Sequence, residues 1–306
     1  MRLVTRLRLA AVSFAVLATA SCFGRVDDPG AATPSAPAPS NATSTAASGR
    51  GGPAFPKNVD IGVKIDQPGF SQLNTSAHEY SGFEPELAKY LGKHLGFAPN
   101  LEGVTSKKRE EWLISGVVQL VIATYTITAE RLKEVDFVGP YLQTRQGLLV
   151  RADDTEIKTR ADTAGQQICT VSGSTSDPAM GNPFKDAEFS YEQDYKACVK
   201  QLRDGNVDAV WTDRVILYGF TKAYDDVRVV DKIKVGKIQR YGIGLPKHQK
   251  AQCERLAEQL QKFLDDEWLS NFEDRFPNIV DAEPNTYEPS YKPADGDVDT
   301  YTVCTP

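Results

Sequence analysis

The stretch Ala123 to Val150, ATYTITAERLKEVDFVGPYLQTRQGLLV, decides how the rest of the chain is read. Leu120, Val121, Ile122 and Ala123 form an apolar run of strand character that passes into the hydroxyl-bearing Thr124, Thr126 and Thr128. Thr128 has the chemistry of a helix cap, and Arg131 follows within the first turn of the helix it would open. One guanidinium therefore stands beside several hydroxyls where a strand ends. In open α/β sheets, ligands sit in the crevice at the carboxyl ends of strands. Arginine brings a planar fork that matches a carboxylate through two hydrogen bonds. The alternative for Arg131 is an ordinary ion pair with Glu130 or Glu134 on a solvated helix.

Strand and helix patterns alternate on both sides of this stretch. Upstream, Val59, Ile61, Val63 and Ile65 alternate as a strand that leaves Lys64 and Asp66 near its end, before Gln67-Pro68-Gly69 breaks it. Leu87, Tyr90, Leu91, His94 and Leu95 then fall on one face of a helix, and Pro85 is tolerated in its first turn. A strand near Pro99 to Val104 and a helix around Arg109 to Leu113 lead to Leu120.

Past Arg151 the pattern restarts. A strand at Gln167 to Val171 runs into Ser172-Gly173-Ser174-Thr175, a turn before a predicted helix whose free N–H groups can hold an anion. Another helix carries Tyr195, Cys198, Val199 and Leu202 on one side, and the strand Ala209 to Trp211 delivers Asp213. Asp213 also has the chemistry to cap a helix running to Phe220. A long helical stretch from Gln249 to Phe276 carries Leu256, Leu260, Phe263, Leu264 and Trp268. Strands alternating with helices in this way predict an α/β fold with a parallel sheet covered on both faces.

Composition sets the limits. With 306 residues and 41% hydrophobic content the chain can bury a substantial core in one or two domains. A formal charge of -6 argues against a nucleic-acid partner, because no basic stripe exists to release phosphate counterions. Arg2, Arg6 and Arg8 precede an apolar run, Leu9 to Ala20, too short to span a bilayer, which reads as an export signal. Thr19-Ala20-Ser21-Cys22 resembles a bacterial lipoprotein box whose Cys22 is lipidated, with Thr19 departing from the aliphatic usual there; cleavage without lipid would instead release a secreted protein. The segment 23–56 is rich in Ala, Pro, Ser, Thr and Gly and reads as a disordered tether.

In several pieces the chain resembles family 3 extracellular solute-binding proteins, the amino-acid receptors of ABC importers, and within them the actinobacterial glutamate-binding type. The pieces are Ile61 to Gln67 (IGVKIDQ), Gly82 to Tyr90 (GFEPELAKY), Ala123 to Arg131, Asp136 to Tyr141 (DFVGPY), Gly173 to Thr175, Val207 to Asp213 (VDAVWTD) and Tyr241 to Leu245 (YGIGL). The resemblance implies a two-lobed, type II periplasmic-binding-protein fold, each lobe a mostly parallel sheet flanked by helices, joined by two hinge crossings near Leu148 to Arg151 and Lys237 to Ile243. Residues 57–149 and 241–280 would form lobe 1, 150–240 lobe 2, and 281–306 a tail.

It also implies a ligand set. Arg131, with Thr124 and Thr126, would take the carboxylate of an α-amino acid, the backbone at Ser174 and Thr175 would add to it from the opposite lobe, and Asp213 would take the ammonium. Lys64 and Arg109 match positions that contact a second, side-chain carboxylate, and Phe70 is a candidate cover for the ligand's aliphatic part, with a core role as its alternative. Arg109 otherwise belongs to the charged run Lys107 to Glu111, ordinarily a solvated face. Glutamate or aspartate is expected ahead of glutamine or asparagine, because two further cations beside a neutral ligand would be buried unpaired. The implied partners are an ABC permease and ATPase, and the membrane through the lipid; the protein is expected to be a monomer with no cofactor. A sensor for a membrane signalling partner is a second reading. A dehydratase of the same fold is a third, and it lacks a positioned general acid, since His78, His94 and His248 fall outside the matching pieces.

If lipid takes Cys22, four cysteines remain in an exported chain, which favours disulfides in one of three pairings. With the lobes as the resemblance places them, Cys169 with Cys198 and Cys253 with Cys304 is preferred, the second pinning the tail to lobe 1. No Cys-x-x-Cys spacing occurs, so no metal is expected.

Overall fold

The computed structural model describes residues 55–306. The expected signal peptide, Cys22 and the tether as far as residue 54 lie outside the described residues. Packing starts ahead of the alternating pattern at Val59, since Phe55 already lies on Phe97 with ring centroids 5.1 Å apart.

Strand β1 (Asn58–Val63) stops short of Ile65, which is 43% exposed. The chain turns there into a small antiparallel sheet of β2 (Asp66–Gln67), β3 (Ser71–Asn74) and β4 (Glu79–Ser81). Helix α1 (Phe83–Leu95) buries Leu87, Leu91 and Leu95, with Tyr90 on its flank and His94 exposed, and closes on Gly96 in the left-handed conformation. Strand β5 (Ala98–Gly103), helix α2 (Arg109–Ile114), the short β6 (Leu120–Val121) and the single turn α3 (Arg131–Glu134) complete the first set.

Strand β7 (Asp136–Arg151) then runs for 16 residues into a second set: β8 (Gln167–Val171), β9 (Glu188–Glu192), α4 (Tyr195–Arg203), β10 (Ala209–Asp213), α5 (Arg214–Ala223) and β11 (Val227–Val229). The helix expected after Thr175 is only one 3-10 turn, Pro178–Met180. Asp177 caps the turn by accepting the Ala179 N–H, and Gly181 at φ +131° ends it after three residues. Strand β12 (Val235–Leu245) returns the chain.

The main sheet runs β5-β1-β6-β12-β7-β10-β8-β9, with β11 on β7. Its two wings are parallel, β5-β1-β6 on one side and β10-β8-β9 on the other. The long strands β7 and β12 pair antiparallel from Leu245↔Asp136 to Val235↔Gln146 and belong to both wings. The result is a two-lobed α/β architecture in which, among the described residues, β7 and β12 are the strands common to both wings of the sheet. The expected single helix over Gln249 to Phe276 breaks at Glu267 into α6 (Lys250–Asp266) and α7 (Trp268–Arg275). At the break Trp268 enters the core, and its indole N–H donates to the Tyr141 carbonyl at 2.8 Å.

The last residues form α8 (Pro277–Ala282), α9 (Tyr287–Tyr291) and α10 (Asp297–Tyr301) rather than a loose tail. Their apolar anchor is a stack of Tyr287 and Tyr291 on Phe272. Val303 pairs with Phe137, and buried Asp136 accepts the backbone and hydroxyl of Thr305, both at 2.6 Å. Disulfides join Cys169 to Cys198 and Cys253 to Cys304, with Cα separations of 5.5 and 5.7 Å. The second closes a loop of 51 residues that contains α7 to α10. Replacing Cys253 and Cys304 together by Ser should lower unfolding stability by about 2–4 kcal/mol, read from urea titration under non-reducing conditions. An unchanged urea midpoint would contradict that.

Candidate functional site

Where the two lobes meet, Ser106, Arg109, Thr124, Thr126, Arg131, Ser174, Thr175, Tyr195, Thr212, Asp213 and Ile216 line a narrow polar cavity. Of the residues singled out from sequence, Arg131, Thr126, Thr124, Asp213, Ser174, Thr175 and Arg109 come together here.

Arg131 is placed by its own short helix, whose first turn is capped by the Thr128 hydroxyl accepting from the Arg131 N–H at 3.2 Å. Its side chain is buried and does not pair with Glu130 or Glu134. Nε donates to Glu110 Oε1 at 3.0 Å, and the terminal nitrogens donate to the Thr126 and Gly173 carbonyls at 2.8 and 3.0 Å. A guanidinium carries five N–H groups, so two remain for a further acceptor. Burial pushes its pKa down to about 10, helped by the neighbouring Arg109 and opposed by Glu110.

Arg109 is equally buried, so the charged run it belongs to is not simply a solvated face. Its Nε donates to the Ser106 carbonyl, one terminal nitrogen to the Ala123 and Thr124 carbonyls at 2.9 and 3.0 Å, and the other to Gly173 at 3.2 Å. Both guanidiniums lie over the Tyr125 ring, 4.6 and 4.9 Å from its centroid. The Gly173 carbonyl, from the other lobe, thus accepts from both arginines. A glycine is required there: φ is +76°, and an added Cβ would lie 2.8 Å from Lys107 Cα.

Thr124 adopts φ +43°, rare for a branched residue. It is held there by Glu84, whose Oε1 accepts the Thr124 N–H and the Tyr141 hydroxyl, each at 2.6 Å. Burial pushes the Glu84 carboxyl up to about 7 against those two hydrogen bonds. Nothing in the one-dimensional pattern marked Glu84, because its partners are 40 and 57 positions away.

On the facing wall, Asp213 stands at the N-cap of α5, yet its side chain caps nothing. Instead Oδ2 accepts the Tyr241 hydroxyl at 2.5 Å, while the buried Oδ1 has no partner among the described residues. Burial pushes this carboxyl up to about 7, opposed by the Tyr241 hydrogen bond and by Arg109 and Arg131.

Three expectations change. Phe70 does not line the cavity; it sits in the aromatic core with Phe83, Phe276 and Tyr241, 4.9 to 6.4 Å between ring centroids. Lys64 does not line it either. Its ammonium donates to the Ser106 hydroxyl at 3.0 Å and stays one residue behind the wall, with burial pushing its pKa down to about 8 against the attraction of Asp66. The Ser174 N–H donates within its own turn to the Val171 carbonyl at 3.2 Å, and the Ser174 hydroxyl accepts the Ser176 N–H at 3.1 Å, although Ser174 and Thr175 both line the cavity. Ser106, Tyr195, Thr212 and Ile216 line the site without having been singled out for it. Tyr195 was placed by helical spacing on a packing face, and it serves there and in the cavity wall at once.

Residues 59–278 match the family model of bacterial extracellular solute-binding proteins, family 3. The glutamate-binding protein GluB of Corynebacterium glutamicum is 35% identical over 221 residues, covering 68% of this chain and 75% of that protein. The glutamine-binding protein GlnH of the Bacillus subtilis ABC transporter is 32% identical over 212 residues, covering 68% and 77%. A solved ancestral arginine-binding protein bound to glutamine superposes with a TM-score of 0.67 at 26% identity, covering 72% of this chain and 99% of that one. The chain belongs to the bacterial extracellular solute-binding proteins of family 3.

Proposed function

We propose that this protein captures an acidic amino acid, glutamate or aspartate, between its lobes and hands it to an ABC permease and ATPase. The observation that carries the reading is a buried carboxylate oxygen, Asp213 Oδ1, without a partner among the described residues, in a cavity whose other wall holds two buried guanidiniums. An α-amino acid supplies the missing partner to each: its ammonium to Asp213, and a carboxylate to the arginines' remaining N–H groups. Relatives named for glutamate and for glutamine share the α-amino-acid core and differ at the side-chain end. Arg109 favours the acid. Its charge is satisfied only by backbone carbonyls, with no carboxylate at ion-pairing distance among the described residues, and a side-chain carboxylate would neutralise it. Export and a lipid on Cys22 would hold the receptor at the outer face of the membrane, and mass spectrometry of the mature N-terminus reads that directly.

Calorimetry against the common amino acids should rank glutamate or aspartate first, glutamine lower, and arginine and histidine as non-binders. Tightest binding by arginine would sink the assignment. Arg131→Ala should weaken glutamate binding more than about a hundredfold, because it removes one side of a desolvated charge pair.

The pH dependence has a definite sign on each side. Asp213, raised to about 7, loses its charge as pH falls, and with it the ammonium contact. Lys64, lowered to about 8, loses its charge as pH rises, and with it part of the field that favours an acidic ligand. Glutamate affinity should therefore peak between about pH 7 and 8 and fall on both sides. A flat profile from pH 6 to 9 would contradict the roles given to both groups.

A further inference from the structure

Tyr241 occupies an unusual position between the two halves of the site. Its backbone, on β12, forms a bridge with Thr126, whose side is the carboxylate side of the cavity, and the next residue, Gly242, donates its N–H to the Tyr125 carbonyl at 2.9 Å. Its ring is fully buried against Phe70 and Tyr141, 5.8 and 6.0 Å away. Its hydroxyl reaches Asp213 Oδ2 on the other wall. The crossing strand is thus bonded to one wall through the main chain on either side of Tyr241, at Arg240 and Gly242, and to the other through the Tyr241 side chain.

We propose that Tyr241 is the positioning residue for Asp213: its hydroxyl holds one carboxylate oxygen so that the other faces the cavity, ionised, for a ligand's ammonium group. This deepens the amino-acid-binding reading and rests on it. The alternative partner for Asp213 is local. A carboxylate at an N-cap ordinarily accepts from the N–H groups of its own helix, and here it does not. Donation from the phenol draws the side chain away from that cap. The bond is charge-assisted, so it favours the carboxylate form over the acid. The other titratable or charged groups that face Asp213 are Arg109 from α2 and Arg131 from α3, which act in the same direction, and Tyr195 from α4, which stays neutral because burial raises its pKa. Neither arginine lies within hydrogen-bond distance of Asp213, so Tyr241 is the one neighbour that fixes the orientation as well as the charge.

The test is glutamate binding by calorimetry from pH 6 to 9 on the wild type, Tyr241→Phe, Asp213→Asn and the double variant. Phe keeps the buried ring and removes one oxygen. Tyr241→Phe should move the acid limb of the affinity profile upward by about one pH unit, a tenfold change at fixed pH below it, and leave the alkaline limb where it is. In the Asp213→Asn background, adding Tyr241→Phe should change affinity little, since sites that act through one another are not additive. A site-specific Tyr241→3-fluorotyrosine, a stronger donor of nearly the same size, should move the acid limb downward, and it serves even if the Phe variant does not fold. Equal acid limbs in the wild type and both Tyr241 variants, or full additivity with Asp213→Asn, would overturn the inference. Wild-type protein that binds no amino acid at any pH would instead overturn the reading on which it rests.

Discussion

Two guanidiniums buried side by side are the constraint around which this molecule is built. Moving a cation from water into a protein interior costs several kcal/mol even after relaxation, roughly, and two like charges in one place repel. Ordinary proteins solve this with a carboxylate for each. Here Arg131 has Glu110, while Arg109 has four backbone carbonyls and shares a tyrosine face. Carbonyl dipoles satisfy hydrogen-bond geometry without neutralising charge. The site therefore keeps a positive potential beside a cavity, and that residual potential is what an acidic ligand can exploit.

Satisfying the arginines also dictates backbone geometry elsewhere. The carbonyls of Ala123 and Thr124 point at Arg109 only because Thr124 adopts a left-handed conformation, which Glu84 and Tyr141 hold in place. Strain of this kind costs on the order of 1–3 kcal/mol and survives only where surrounding structure overdetermines it. The Gly173 carbonyl comes from the opposite lobe and depends on a glycine at positive φ. The same charges that would recognise a ligand thus already draw the lobes together.

Much of this was legible in the sequence, for identifiable reasons. Period-3.6 patterns mark helices whose burial is one-sided, so α1 and α4 could be read directly, while β1 and β10 show as short apolar runs that the sheet buries almost throughout. Arg131 and Asp213 stand out because each follows an apolar strand, and sheet geometry makes strand ends converge. What could not be read is what depends on distant pairing. Glu84 looks like any helical acid until Thr124 arrives from 40 residues away. Phe70 and Lys64 lie close in sequence to the binding loop, yet one turns into the core and the other stops behind Ser106. The break at Glu267 follows from the pull of the core on Trp268, which no local propensity encodes.

The crossing strands would couple recognition to any movement of the lobes. β7 and β12 carry the sheet from one lobe to the other, so any change in the angle between lobes is borne by these strands. Each also carries a buried tyrosine bonded to a carboxylate, Tyr141 to Glu84 behind the cavity wall and Tyr241 to Asp213 in it. A rotation that moved β10 away from β12 would stretch the Tyr241 bond, and one that displaced α1 from β7 would stretch the Tyr141 bond. Each lost bond would leave a buried carboxylate less well satisfied, at a cost of about 1–3 kcal/mol or more for a charged group. A ligand able to shift the balance between lobe arrangements need contribute only a differential of that size. On the function proposed above, one ligand would offer a cation to Asp213 and an anion to the arginines, and it would make both contacts at once only with the two walls together, which is where such a differential would come from.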